Sequence, residues 1–200
     1  MNSAGYHYLR ATVCVGLGLL LAGPAIAQVA GRPAGAYRTA AAYRHHQPQP
    51  AGADAFYPDK RGQVVVVVPR GPETVKLRVS PDSAWGYVSA RGQSFRLYRG
   101  EEYRLDQADT LCVYSTSFMV VNGLRVGAAA GRRYFFSRGL TGLIFPLTSF
   151  YLREAYGASN PAFATALKQL PASRSLTDYD RKTGLYRVTS LYRQTAPPTH

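Results

Sequence analysis

Tyrosine followed by arginine recurs along this 200-residue chain, at Tyr98-Arg99, Tyr103-Arg104, Tyr186-Arg187 and Tyr192-Arg193. Rings interleaved with guanidinium groups are what proteins use to hold single-stranded nucleic acid and sugar polymers, the ring by stacking and the planar fork by bidentate contact to phosphate or carboxylate. On alternating strands the pattern sends Arg96, Tyr98 and Arg104 to an aromatic and cationic outer face. It would equally serve a sheet face whose only role is to be solvated. Arg132 and Arg133 follow the glycine-rich run from Gly123 to Gly131. That run lacks the Lys-Ser/Thr end and the strand-to-helix context of a phosphate loop and reads as a flexible hairpin arm. The two arginines could bind an anion, although exposed arginines beside a strand often do nothing measurable. The candidate binding residues are therefore Arg96, Tyr98, Arg104, Arg132 and Arg133.

Catalytic constellations lack their parts. The histidines are His7, His45, His46 and His200, all in segments expected to lie outside the folded region, so neither a Ser-His-Asp nor a Cys-His arrangement finds a general base. No Gly-x-Ser-x-Gly elbow is present. Glu101 and Glu102 are neighbours on a strand and point to opposite faces. Asp106 with Asp109, and Asp178 with Asp180, stand where side chains bond their own backbone in turns. Asp178-Tyr179-Asp180 resembles a fragment of a calcium loop without its glycine and bidentate glutamate, and His45-His46 has no supporting ligand. No catalytic residue, metal or cofactor is assigned; a hydrolase would need two of these acids to converge in one cleft.

The charge balance favours an anionic partner. Lys and Arg number 24 against 11 Asp and Glu, a formal charge of +13, and only Lys60, Lys76, Lys168 and Lys182 are lysines. Arginine suits carboxylate and phosphate; an arginine-rich composition can also serve solubility alone. The chain begins with a short polar segment containing Arg10, then an apolar run from Ala11 to Ala22, a Gly23-Pro24 break and Ala25-Ile26-Ala27, which reads as a secretory signal cleaved after Ala27. The run is too short for a transmembrane helix, and Cys14 lies at its start, not at a lipid-attachment position. Cleavage would take one arginine and no acid, so +13 becomes +12, and would leave Cys112 as the single thiol. No internal disulfide could then form in an oxidising compartment. Cys112 sits in the alternating run Leu111-Cys112-Val113-Tyr114 and reads as buried and inert.

The elements that must position these residues are mostly strands. The stretch from Ala84 to Asp106 reads as three strands of an antiparallel meander with one wet face, broken at Arg91-Gly92 and Arg99-Gly100, with Trp85, Phe95, Leu97, Tyr103 and Leu105 in a shared core layer. Before it, residues 28–58 are rich in Ala, Gly, Pro and Gln and read as a disordered leader. The Val64–Val68 run suits a strand covered on both faces, and Gly71-Pro72 turns the chain into a strand over Thr74–Ser80. After the meander come Thr110–Thr116, a hairpin of Phe118–Val121 and Leu124–Val126 about Asn122-Gly123, and Arg132–Ser137. Thr148 or Ser149 caps a helix with Leu147, Tyr151 and Ala155 on one face and Gly157 as its stop. Asn160 and Pro161 open a second helix carrying Phe163, Leu167 and Leu170. Residues Leu185 to Tyr192 read as strand or short helix, and 193–200 as a disordered tail.

Through Trp85-Gly86-Tyr87, Phe95-Arg96-Leu97-Tyr98, Tyr103-Arg104-Leu105, Tyr134-Phe135-Phe136-Ser137 with Gly139-Leu140, and Pro146-Leu147-Thr148, the chain resembles uncharacterised small exported proteins of Gram-negative bacteria. That group has no assigned function, so the resemblance implies export and a shared scaffold and carries over no site residues. The sequence thus predicts one α+β domain over residues 59–192, a mostly antiparallel meander, curled sheet or small barrel followed by two short helices. The expected role is a non-enzymatic envelope or periplasmic protein whose Arg/Tyr surface contacts lipid, lipopolysaccharide or acidic glycan. The alternative is a structural or adaptor protein joining other envelope proteins through a sheet edge or Cys112. An exported chain meets little nucleic acid.

Overall fold

Turn chemistry sets the central meander. Arg99 and Gly100 have φ of 52° and 76°, the pair of left-handed residues that a type I′ hairpin turn requires, and Tyr98 pairs with Glu101 across them. The computed structural model describes residues 31–57, 62–120, 129–171 and 173–196. In chain order the elements are β1 (Gly35–Tyr37), α1 (Ala40–Arg44), β2 (Asp54–Phe56), β3 (Val64–Arg70), β4 (Glu73–Val79), β5 (Gly86–Val88), β6 (Ser94–Tyr98), β7 (Glu101–Gln107), β8 (Leu111–Val120), β9 (Ala129–Arg138) and β10 (Phe145–Pro146). They are followed by α2 (Ser149–Tyr156), α3 (Pro161–Gln169), β11 (Tyr179–Asp180), β12 (Leu185–Tyr186) and α4 (Arg187–Thr195).

The fold is α+β. An open seven-stranded sheet runs β1-β5-β6-β7-β8-β9-β10 with every pairing antiparallel, and the helices mostly follow the strands. A three-stranded sheet, β2-β3-β4, and the β11-β12 hairpin complete it. Among the described residues no helix is long and apolar enough to cross a membrane.

Both faces of the large sheet are covered. On one, Val88, Leu105, Cys112 and Tyr114 pack with Tyr37, Ala40, Tyr43 and Leu140. The other is covered in two places: Ala36, Tyr87 and Leu97 meet Val64, Val66 and Ala55 of the smaller sheet, and Leu111, Val113 and Phe136 meet Leu152, Tyr156, Phe163, Leu167 and Val188 of the helices. Each valine, leucine or phenylalanine among them taken fully from water contributes about 1.5–3 kcal/mol.

The expectation of one wet face is corrected by register. A two-residue turn places an odd-numbered residue of β6 opposite an even-numbered residue of β7, so Phe95 faces Arg104 and Arg96 faces Tyr103. Phe95 and Leu97 therefore lie on the face opposite Tyr103 and Leu105, and the single core layer expected of them becomes two.

The leader is also corrected: within 31–57 the chain is folded. Gly35–Tyr37 pairs with Gly86–Val88 as an edge of the large sheet. Thr39 caps α1 by accepting a hydrogen bond from the Ala42 amide at 3.0 Å, and Asp54–Phe56 pairs with β3. Three-residue strands and a five-residue helix are too short to show a period, and tertiary packing supplies what propensity does not. At the other end α4 extends to Thr195, so Arg193 belongs to a helix and not to a tail. The undecided segment is both elements in succession, β12 then α4.

The helix caps are as expected: the Thr148 hydroxyl accepts from the Tyr151 amide and the Asn160 side chain from the Phe163 amide. The buried face of α2 is Leu152 and Tyr156, one position on from the predicted stripe, which leaves Tyr151 exposed. The segments read as Thr110–Thr116 and Phe118–Val121 form one strand through Val120, and Val120 pairs with Ala129. A two-residue turn at Asn122-Gly123 would pair Val120 with Arg125. That turn, the strand at Leu124–Val126 and the signal segment lie outside the described residues.

Candidate functional site

The five nominated residues divide between the two faces. Arg96 is buried, at 4% exposure, on the face covered by α1. Its Nη1 donates to the Tyr114 hydroxyl at 3.2 Å and to Ser137 Oγ at 3.4 Å, and its guanidinium lies 5.2 Å from the Tyr98 ring centre. Tyr114 and Ser137 bond one another at 3.0 Å, and Ser137 Oγ donates to the Gly139 carbonyl at 2.6 Å. Arg96 is thus a buried member of a polar network in the sheet, not part of a binding surface, because it faces Tyr103 and Gly86 in the register. Half-buried Tyr98 stays beside it.

Arg104 and Arg132 come together on the opposite face. Arg104 lies across from Ser115, and Ser115 across from Tyr134, so Arg104 and Tyr134 are in one row over three strands; exposed Arg132 is two residues from Tyr134 on the same face. The pairing of β7 with β8 shifts between Leu105 and Gln107, leaving Asp106 as the extra residue of a β-bulge, a device that re-aims a side chain. The Arg104 guanidinium holds Asp106 Oδ1 through Nε at 2.6 Å and also through Nη2. Asp106 Oδ2 is buried and has no hydrogen-bond partner among the described residues, an omission that costs on the order of 1–3 kcal/mol.

The β11-β12 hairpin closes the other side. Asp180 accepts from the Lys182 amide at 2.8 Å and from Thr183 Oγ1 at 3.0 Å, bonds that hold its carboxyl below the usual carboxylate range. With Gly184 at φ 68° they shape the turn, and Tyr179 is thereby set opposite Tyr186. Tyr186 meets Tyr134 and Tyr179 edge to face, with ring centres 5.9 and 5.3 Å away. Its hydroxyl is pushed up to about 12, first by burial, then by the Asp106 charge and Tyr134, with Arg104 and Arg132 opposing. Arg104, Asp106, Arg132, Tyr134, Thr177, Tyr179 and Tyr186 line one groove of about 390 Å³.

A larger depression of about 820 Å³ takes in Arg104 and Arg133, but Glu101 and Glu102 line it as well, so its cations are balanced by equal acid. Its Glu102 accepts from the Tyr87 hydroxyl at 2.7 Å, and burial raises the Glu102 carboxyl above its ordinary value. Of these two, the smaller groove carries an excess of guanidinium over carboxylate.

Sequence reasoning misplaced Asp106. It stands in a strand bonded to a side chain, not in a loop bonding its own backbone; Arg104-x-Asp106 on one strand face was the available signal. Asp109 is nearer to expectation, accepting from the Thr110 amide at 2.6 Å, and it also binds Arg193. Asp178 pairs with Arg187 at 3.2 Å. Asp106 is the one carboxylate lining the smaller groove, so the acid pair that glycoside hydrolysis uses is not assembled there. Among the described residues no three His, Cys, Asp or Glu side chains gather as a metal site needs. The groove offers two guanidinium groups, one carboxylate and an exposed aromatic residue, Tyr179.

No protein-family model matches this chain, and no curated protein or solved structure matches it.

Proposed function

We propose that the protein is an exported, non-enzymatic envelope protein that contacts an anionic partner, lipid, lipopolysaccharide or acidic glycan, through the groove between β7, β9 and the β11-β12 hairpin. One observation carries this reading: Arg104 and Arg132 line a single groove with Tyr134, Tyr179 and Tyr186, and one carboxylate stands against the two cations. The overall charge of +13 would draw such a partner in, and a groove focuses that field. The test is binding of purified protein to anionic phospholipid vesicles, lipopolysaccharide and acidic polysaccharide across a salt series, with a neutral glycan as control. The reading expects affinity that falls steeply with salt and is lost in an Arg104→Ala/Arg132→Ala double variant. No binding at low salt, or undiminished binding by the double variant, contradicts it.

A second reading, an adaptor between envelope proteins, draws on a different feature. Phe150 and Tyr151 are 57% and 39% exposed at the start of α2, and Tyr151 stacks on Phe145 of the edge strand β10. That apolar edge suits protein contact. Its other proposed route, through Cys112, is closed, because the thiol is fully buried. A strictly monomeric, non-associating chain would count against this reading.

A further inference from the structure

Strand β4 leaves one side of the smaller sheet open. Among the described residues it pairs with β3 alone, and it runs from Glu73 to Val79 without proline or bulge, so it presents unpaired amides and carbonyls along about 20 Å. The turn before it decides which groups these are. Gly71, at φ 58°, and Pro72 form a two-residue loop between paired Arg70 and Glu73. Glu73, Val75, Leu77 and Val79 therefore exchange their bonds with β3, and Thr74, Lys76 and Arg78 turn theirs outward.

The side chains set what an added strand must carry. Val75, Leu77 and Val79 stand beside Val68, Val66 and Val64, on the face that packs toward Ala36, Tyr87 and Leu97; Leu77, at the edge, is still 39% exposed. Lys76 and Arg78 stand on the other face beside Val67 and Val65, exposed and with no ion-pair partner among the described residues. A strand laid against β4 continues both faces, so it extends the apolar one with apolar residues at alternate positions and meets the two cations with acidic residues between them. A second copy does not fit. Full antiparallel overlap of β4 with itself sets Lys76 against Lys76, and the register centred on Leu77 sets Lys76 against Arg78, like charges directly opposite. The cations thus guard the edge against its own kind and leave it open to an acidic strand.

We propose that β4 is a docking edge for an extended segment of another protein in which acidic and apolar residues alternate, added as a fourth strand to the β2-β3-β4 sheet. None of the groove's residues takes part, so this contact stands or falls apart from the anionic reading.

The probe is fluorophore-labelled Glu-Val-Glu-Val-Glu-Val-Glu with blocked ends, titrated with the full chain and followed by anisotropy. The controls are an isomer with every Glu before every Val, and a peptide with Lys in place of Glu. The alternating acidic peptide should bind about tenfold more tightly than its block isomer of equal charge. Of two versions N-methylated at alternate residues, one should bind and the other lose about tenfold or more, because a strand offers only every second amide to the edge. Lys76→Glu/Arg78→Glu, with folding checked by circular dichroism, should exchange the preference, releasing the acidic peptide and taking the Lys-Val one. That chain stays net positive, so a general charge effect gives no such exchange. Equal binding of the alternating and block isomers, equal binding of the two N-methylated peptides, or undiminished acidic-peptide binding by the folded charge-reversed variant overturns the docking edge, as does a chain that dimerises through β4. Failure of the acidic peptide to bind at low salt overturns it too, and leaves the groove reading untouched.

Discussion

Tyr43 joins the segment 31–57 to the rest of the molecule, and removing its side chain should unfold part of what the sequence presents as a tether. The residue is 2% exposed. Its ring lies 4.6 Å from Trp85 and 5.5 Å, edge to face, from Tyr37, with the Arg32 guanidinium 4.3 Å above it. Its hydroxyl donates to Ser94 Oγ at 2.9 Å, in a strand 51 residues away in sequence. Truncating a buried aromatic ring to alanine costs about 3–5 kcal/mol, whereas Tyr43→Phe removes only the hydrogen bond, about 1 kcal/mol. In a domain of this size each kcal/mol moves Tm by roughly 2–4 °C. Tyr43→Ala should therefore melt on the order of 10 °C below wild type and Tyr43→Phe about 3 °C below it, followed by circular dichroism or calorimetry. A Tyr43→Ala chain that melts within about 1 °C of wild type would refute the docking of this segment.

Three further outcomes follow from single positions. A Cβ on Gly86 would stand 2.0 Å from the Phe95 carbonyl oxygen, so Gly86→Ala should destabilise by about 3 kcal/mol in urea denaturation; a neutral substitution would contradict the β5-β6 register. Burial raises the Glu102 carboxyl, so the native state holds that proton more tightly than the unfolded chain does, and the resulting stability is full below the ordinary carboxylate range and lost as pH rises through the raised native value. Glu102→Gln keeps an acceptor for Tyr87 and does not titrate, so its stability relative to wild type should improve from pH 4 to pH 7; a pH-independent difference would count against this. Cys112 is fully buried, its Sγ donates to the Asp109 carbonyl at 3.1 Å, and burial pushes the thiol up, so maleimide should label it only as urea unfolds the chain, and rapid native labelling would contradict that burial.

The parts of the fold carried by local chemistry were legible in the sequence. Arg99-Gly100 announced its turn, Asn160-Pro161 its helix, and the alternation of the meander its strands, because each depends on residues within a few positions. The segments that depend on distant partners were not: Gly35–Tyr37 is a strand only because Gly86–Val88 lies beside it. Register was lost in the same way. Arg96 alternates with apolar neighbours and reads as exposed, yet pairing parity turns it inward to Tyr114 and Ser137. The site was half legible. Arg104 and Arg132 were found by residue type, but a bulge at Asp106 and a hairpin pairing Tyr179 with Tyr186 leave no periodic trace, and these are what turn two arginines into a groove.

Hydrogen–deuterium exchange on the full chain, with and without saturating trigalacturonate as the acidic glycan, tests the location of the anionic contact most directly. Protection gained at Tyr179–Tyr186, at Arg132–Tyr134 and around Asp106, with the remaining amides unchanged, is the predicted result. Protection confined to the basic β3-β4 hairpin, where Arg70, Lys76 and Arg78 are exposed, or spread evenly over the arginines, would contradict the groove as the place where the partner binds.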